Sequence, residues 1–153
     1  MNKKAFTLVE LMVVVAVIAI LATALLVGLG KARKKARDSR RLSDAKQVQN
    51  LLELYYAKVG NYPAGGYSNM VNELVSEGIV SNENQVPSDP LGGSDYRYLY
   101  ASCGSNSQDY IMGVHLEEPS NKIMNQSVPF SECDNPNGDQ IDCGNDGWYC
   151  MYY

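Results

Sequence analysis

The stretch Lys4-Ala5-Phe6-Thr7-Leu8-Val9-Glu10-Leu11-Met12 opens an apolar run whose reading decides the architecture. From Phe6 to Gly30 the chain reads FTLVELMVVVAVIAILATALLVGLG, in which Glu10 is the only ionisable side chain. Such a run suffices for one helix across a hydrocarbon layer about 30 Å thick. A charged side chain at the centre of a membrane helix costs on the order of 2.5 to 3.5 kcal/mol, less near an interface, and is ordinarily functional. Glu10 therefore requires either headgroup water or a partner. A cut between Ala5 and Phe6 would supply the partner, because the new ammonium on Phe6 would stand about one helical turn from the carboxylate.

Lys3 and Lys4, the small Ala5, the Phe6-Thr7-Leu8-Val9-Glu10 sequence and the unbroken apolar segment resemble the class III leader of type IV prepilins and type II secretion pseudopilins. The resemblance implies that a prepilin peptidase cuts before Phe6 on the cytoplasmic face and methylates the new N-terminus. It also implies that Glu10 registers each subunit in a filament. The family usually has Gly before the cut, where this chain keeps a small residue as Ala5. Further along, Gly60-Asn61-Tyr62-Pro63 and Pro87-Ser88-Asp89-Pro90-Leu91-Gly92, followed by Tyr96 and Tyr98, resemble the pseudopilin G family of type II secretion. Leu91 stands where that family more often has Trp, and the tail beyond about residue 118 carries no resemblance.

With 153 residues and a formal net charge of −4, the chain suits one compact unit with no second large domain. The charge is unevenly placed. Residues 1–41 hold nine Lys/Arg and two acids, whereas 42–153 hold four Lys/Arg and fifteen acids. Cys103, Cys133, Cys143 and Cys150 all lie in the last third, without a C-x-x-C pair, which favours disulfides in an oxidising compartment over a zinc or thioredoxin-like centre. Three full pairings are open; a meander of strands favours Cys103 with Cys150 and Cys133 with Cys143. The basic stretch KARKKARDSRR, residues 31–41, taken alone would hold the head in the cytoplasm by the positive-inside rule. The leader and the cysteines oppose it and prevail. Compensation for these cations is expected from acids of neighbouring subunits or from lipid phosphates, and the acidic head opposes nucleic-acid binding.

Leu42, Ala45, Val48, Leu52, Tyr55 and Val59 recur at helical spacing, with Lys46, Gln49 and Glu53 facing away, so the helix is expected to run to Val59 and stop at Gly60. Gly28 and Gly30 are its expected weak point, or a place for close packing against another helix. A short helix with Met70, Val71, Leu74 and Val75 as its apolar stripe closes at Gly78. Strands are expected where Tyr96, Tyr98 and Tyr100 alternate with Arg97 and Leu99, where Tyr110, Met112, Val114 and Leu116 share a face, and from Trp148 to Tyr153. The fold class is α+β: a long N-terminal transmembrane helix with a small antiparallel sheet packed on its carboxyl half, a pilin-like lollipop. The expected segments are a leader at 1–5, a transmembrane and assembly helix at 6–30, a basic then amphipathic helix at 31–59, and a globular head at 60–153.

The tail concentrates Asp139, Asp142 and Asp146 among Asn and Gly, and oxygen ligands on turns suit calcium, although solvated turns account for the same residues. The lone His115 sits in a strand pattern, the Glu117-Glu118 pair reads as two exposed acids at a strand end, and no nucleophile, metalloprotease or phosphate-loop motif occurs. No enzyme is inferred. The leading function is a structural subunit of a type IV pilus or type II secretion pseudopilus. It would be made as a single-pass protein of the cytoplasmic membrane, with its head outside, and assembled into a homo- or hetero-filament at the cell surface or across the periplasm. The alternative is a membrane-anchored exported binding domain that never polymerises.

Overall fold

In the computed structural model the described residues are 6–92, 98–104, 106–118, 133–134, 143 and 147–153, with backbone alone at 24–28 and 134. Helix α1 (Leu8–Val59) runs without a break past both Gly28 and Gly30, and a Cβ built at Gly30 meets no atom within 4 Å. No proline interrupts it. It ends where expected: Gly60 takes φ +90°, a left-handed conformation that glycine adopts without a Cβ clash, and its N–H donates to the Tyr56 carbonyl at 2.8 Å.

The chain divides into two units, the first ending at Ala36 and the second running from Arg37 to Tyr153. In the first, the apolar side chains of α1 stand exposed, Leu8 at 69% and Ile18 at 59% among them. Among the described residues no helix is long and apolar enough to cross a membrane.

The second unit has its own core. Ala45, Val48, Leu52 and Tyr55 of α1 are buried against Met70 and Leu74 of α2 (Tyr67–Ser76) and against one face of an antiparallel sheet. The sheet comprises β1 (Tyr98–Cys103), β2 (Asp109–His115), β3 (Cys133–Asp134) and β4 (Trp148–Tyr152), in the order β3-β1-β2-β4. Side chains alternate across a strand. Thus Tyr98, Tyr100, Tyr110, Met112 and Val114 face the helices, while Leu99, Ala101, Cys103 and Ile111 form a second apolar layer with Cys143 and Cys150. Large side chains buried this way stabilise by about 1.5 to 3 kcal/mol each. Three of these buried tyrosines place their hydroxyls on polar partners: Tyr55 donates to Glu73, Tyr98 to Asp44, and Tyr100 to the Pro63 carbonyl.

Several expectations are corrected here. Val59, placed on the buried stripe, is 41% exposed, because the helix stops there and Gly60 turns the chain away. Glu53 does not simply face away, since its carboxylate accepts the Tyr62 hydroxyl at 3.1 Å. β3 lies in a stretch with no strand pattern. Tyr96 and Arg97 lie outside the described residues. The cysteine pairing also differs, with Cys103 joined to Cys133 and Cys143 to Cys150. Both β1 and β4 flank β2, so they lie two strand spacings, roughly 10 Å, apart. That exceeds the Cα separation of about 7 Å that a disulfide tolerates. β3 instead sets Cys133 directly opposite Cys103.

Candidate assembly helix and the charge cluster of the head

Glu10 finds its partner in its own chain. Thr7 precedes the first helical residue, Leu8, and Glu10 is the third, the spacing at which a capping box closes. The Thr7 N–H and hydroxyl both donate to Glu10 Oε2, at 2.9 and 2.7 Å, and the Glu10 N–H donates to Thr7 Oγ1 at 3.3 Å. Two amide groups that the helix start would leave unpaired are thereby satisfied, and the carboxylate lies against the positive end of the helix dipole. Phe6 is 82% exposed just ahead of this cap, and Ala5 lies outside the described residues. The role of Thr7, not among the expectations above, is legible as Thr-x-x-Glu before an apolar run.

The basic stretch splits in two. Lys31, Arg33, Lys34 and Lys35 are exposed and make no salt bridge among the described residues. Arg37, Arg40 and Arg41, within the head unit, are matched with acids. Arg41 is fully buried and holds Asp89 with two donors, Nε to Oδ2 at 2.6 Å and Nη2 to Oδ1 at 3.3 Å. Its Nη1 donates to Asp38 at 2.8 Å and to Glu117 at 2.9 Å. Arg37 forks onto Glu117, with both bonds at 2.6 Å, and Arg40 stands 3.8 Å from Asp44. Asp38 in turn accepts the backbone N–H groups of Glu117 and Glu118 at 2.9 and 3.1 Å. One turn of α1 thus fixes both the Asp89 loop and the end of β2.

The electrostatics follow from this geometry. The Arg37 hydrogen bonds, against the opposing effect of burial and with help from Arg41, hold the Glu117 carboxyl down at about 2. Burial opposes the Arg41 charge, but the hydrogen bonds to Asp89, Glu117 and Asp38 outweigh it and raise its pKa. The reading of Glu117 and Glu118 as two exposed acids is corrected: the Glu117 side chain is 5% exposed, because Arg37 and Arg41 draw it inward, and Glu118 is half-buried, its N–H held by Asp38. His115 is half-buried at the end of β2, its ring 5.1 Å from that of Trp148 in edge-to-face contact. Asp139, Asp142 and Asp146, the calcium candidates, lie outside the described residues. Among the described residues no group of three or more His, Cys, Asp or Glu side chains could hold a metal ion.

An apolar helix capped by its own carboxylate, continuing in sequence into a disulfide-bonded α+β head, defines a pilin-like subunit. The prokaryotic N-terminal methylation motif matches residues 1–26. The chain is 29% identical over 103 residues to the type II secretion system core protein G of Escherichia coli strain K12, covering 62% of this chain and 70% of that one. It is 45% identical over 88 residues to the type IV wide pilus major component PilA4 of Thermus thermophilus, covering 56% of this chain and 61% of that one. No solved structure matches. The chain thus carries the N-terminal methylation motif and is similar over more than half of its length to a type II secretion pseudopilin and to a type IV pilin.

Proposed function

We propose that the chain is a structural subunit of a type IV pilus or type II secretion pseudopilus, built to be inserted in a membrane and then packed with other subunits. The observation that carries this reading is the row of exposed apolar side chains on α1, including Leu8, Leu11, Val14, Ile18 and Leu21. Leaving each in water forgoes about 1.5 to 3 kcal/mol, so the segment calls for lipid or other helices around it. In this reading a prepilin peptidase removes residues 1–5 and methylates Phe6, and the helix from Phe6 to Gly30 crosses the cytoplasmic membrane once. The disulfide-bonded head lies outside the cytoplasm, where both cysteine pairs persist. Filament formation then exchanges lipid contacts for contacts with the helices of other subunits. The relatives' names, a secretion core protein and a pilus major component, support the subunit role.

Mass spectrometry of protein from cells with an active prepilin peptidase tests this directly. The expected species begins at Phe6 and carries one added methyl group on its N-terminus. Recovery of only the uncut chain from Met1 would refute the reading.

A further inference from the structure

We propose that Lys31, Lys34 and Lys35 form a docking surface for anionic phospholipid headgroups, an inference that rests on the membrane insertion argued above. Residues three and four apart share one side of a helix, so these three ammonium groups converge, whereas Arg33 falls on a different side. All three are exposed, and none has an acidic partner among the described residues. Like charges at this spacing repel one another, and the arrangement is favourable only beside external negative charge.

The choice of residue identifies that charge. Where this chain meets buried carboxylates it uses the planar fork of arginine, as Arg37 does with Glu117 and Arg41 with Asp89, and it pairs a lysine with a carboxylate at the exposed Lys58–Glu77 contact. At 31, 34 and 35 it uses compact ammonium groups on flexible stems, which suit a fluid layer of phosphates without fixed geometry. Position agrees, because Lys31 directly follows Gly30, the last residue of the apolar run. With that run in the hydrocarbon, the lysines stand at headgroup level, where each adds a substantial attraction to an anionic surface. The acidic head of a second copy is the rival partner. It would offer carboxylates, which this chain meets with arginine wherever the contact is buried, as a packed interface would be.

The test uses the full chain and a triple variant, Lys31→Gln, Lys34→Gln and Lys35→Gln, each reconstituted into vesicles of phosphatidylcholine mixed with phosphatidylglycerol. Lipids that remain with the protein after gentle extraction are quantified by mass spectrometry. The expected result for the unaltered chain is enrichment of phosphatidylglycerol over its bulk fraction, on the order of fivefold per engaged lysine, that falls with added salt. The triple variant should insert equally well and retain the two lipids at their bulk ratio. Failure to enter any vesicle would overturn the membrane reading itself. Normal insertion with the bulk lipid ratio around the unaltered chain would overturn this proposal alone. Equal enrichment around the triple variant would also overturn it. Loss of self-association in that variant, without any lipid effect, would assign the lysines to a second copy instead.

Discussion

Replacing Arg41 by methionine keeps an unbranched apolar stem and removes the charge and all its donors. Three carboxylates, those of Asp38, Asp89 and Glu117, then lose a cation whose contacts lie between 2.6 and 3.3 Å. Arg37 still holds Glu117, and backbone N–H groups still hold Asp38. Among the described residues Asp89 keeps only the N–H of Leu91, at 2.8 Å, as a donor. Removing one partner of a buried ion pair costs about 3 to 5 kcal/mol, because the other charge is left without compensation. For a unit of this size that corresponds to a fall in Tm of roughly 10 to 20 °C. Thermal unfolding of the full chain in detergent, followed by near-ultraviolet circular dichroism of its tyrosines, reads the change at pH 7. A second substitution, Arg41→Lys, retains the charge without the fork and should recover only part of the loss. If Arg41→Met unfolds within a degree or two of the unaltered protein, the cluster contributes specificity of packing but not stability, and the reasoning fails.

Three further outcomes concern the same unit. The Glu117 carboxyl is held at about 2 against an ordinary 4.5, so its contribution is fully present above pH 4.5 and is lost as pH falls towards 2. Integrated over that interval it amounts to about 3 kcal/mol, and Glu117→Gln should flatten the decline in stability that denaturant titrations find across this window. An unchanged decline would assign the acid sensitivity to other carboxylates. Peptide mapping without reduction should recover Cys103 linked to Cys133 and Cys143 linked to Cys150, and a Cys103–Cys150 peptide would contradict the strand order. Loss of the Cys103–Cys133 bridge should cost about 2 to 4 kcal/mol, since it closes a loop of 30 residues.

The parts of the fold that were legible are those governed by local periodicity. Ala45, Val48, Leu52 and Tyr55 announce the buried side of α1 by helical spacing, and Tyr110, Met112, Val114 and Leu116 announce one face of β2 by alternation. Gly60 and Gly78 mark helix ends because their backbone angles, φ +90° and +66°, are ones that other residues rarely adopt. What stayed hidden depends on contacts distant in sequence. Glu117 beside Glu118 reads as ordinary surface until Arg37, 80 residues earlier, is brought against it. Cys133 sits in a stretch without strand periodicity, so nothing local marks it as the partner of Cys103. Thr7 is the exception: its signal is local, since Thr-x-x-Glu ahead of an apolar run marks a capped helix start.

The Thr7–Glu10 cap also sets the terms on which Glu10 can be recruited. A neighbour's ammonium that seeks this carboxylate meets a group already holding two hydrogen bonds, at 2.9 and 2.7 Å. Both bonds fall on Oε2, so Oε1 is the oxygen such an ammonium would take, and in the proposed assembly docking would add to the cap without undoing it. The helix start would then be closed in the lone subunit and in the filament alike, and the arrival or departure of a neighbour would leave that first turn unchanged.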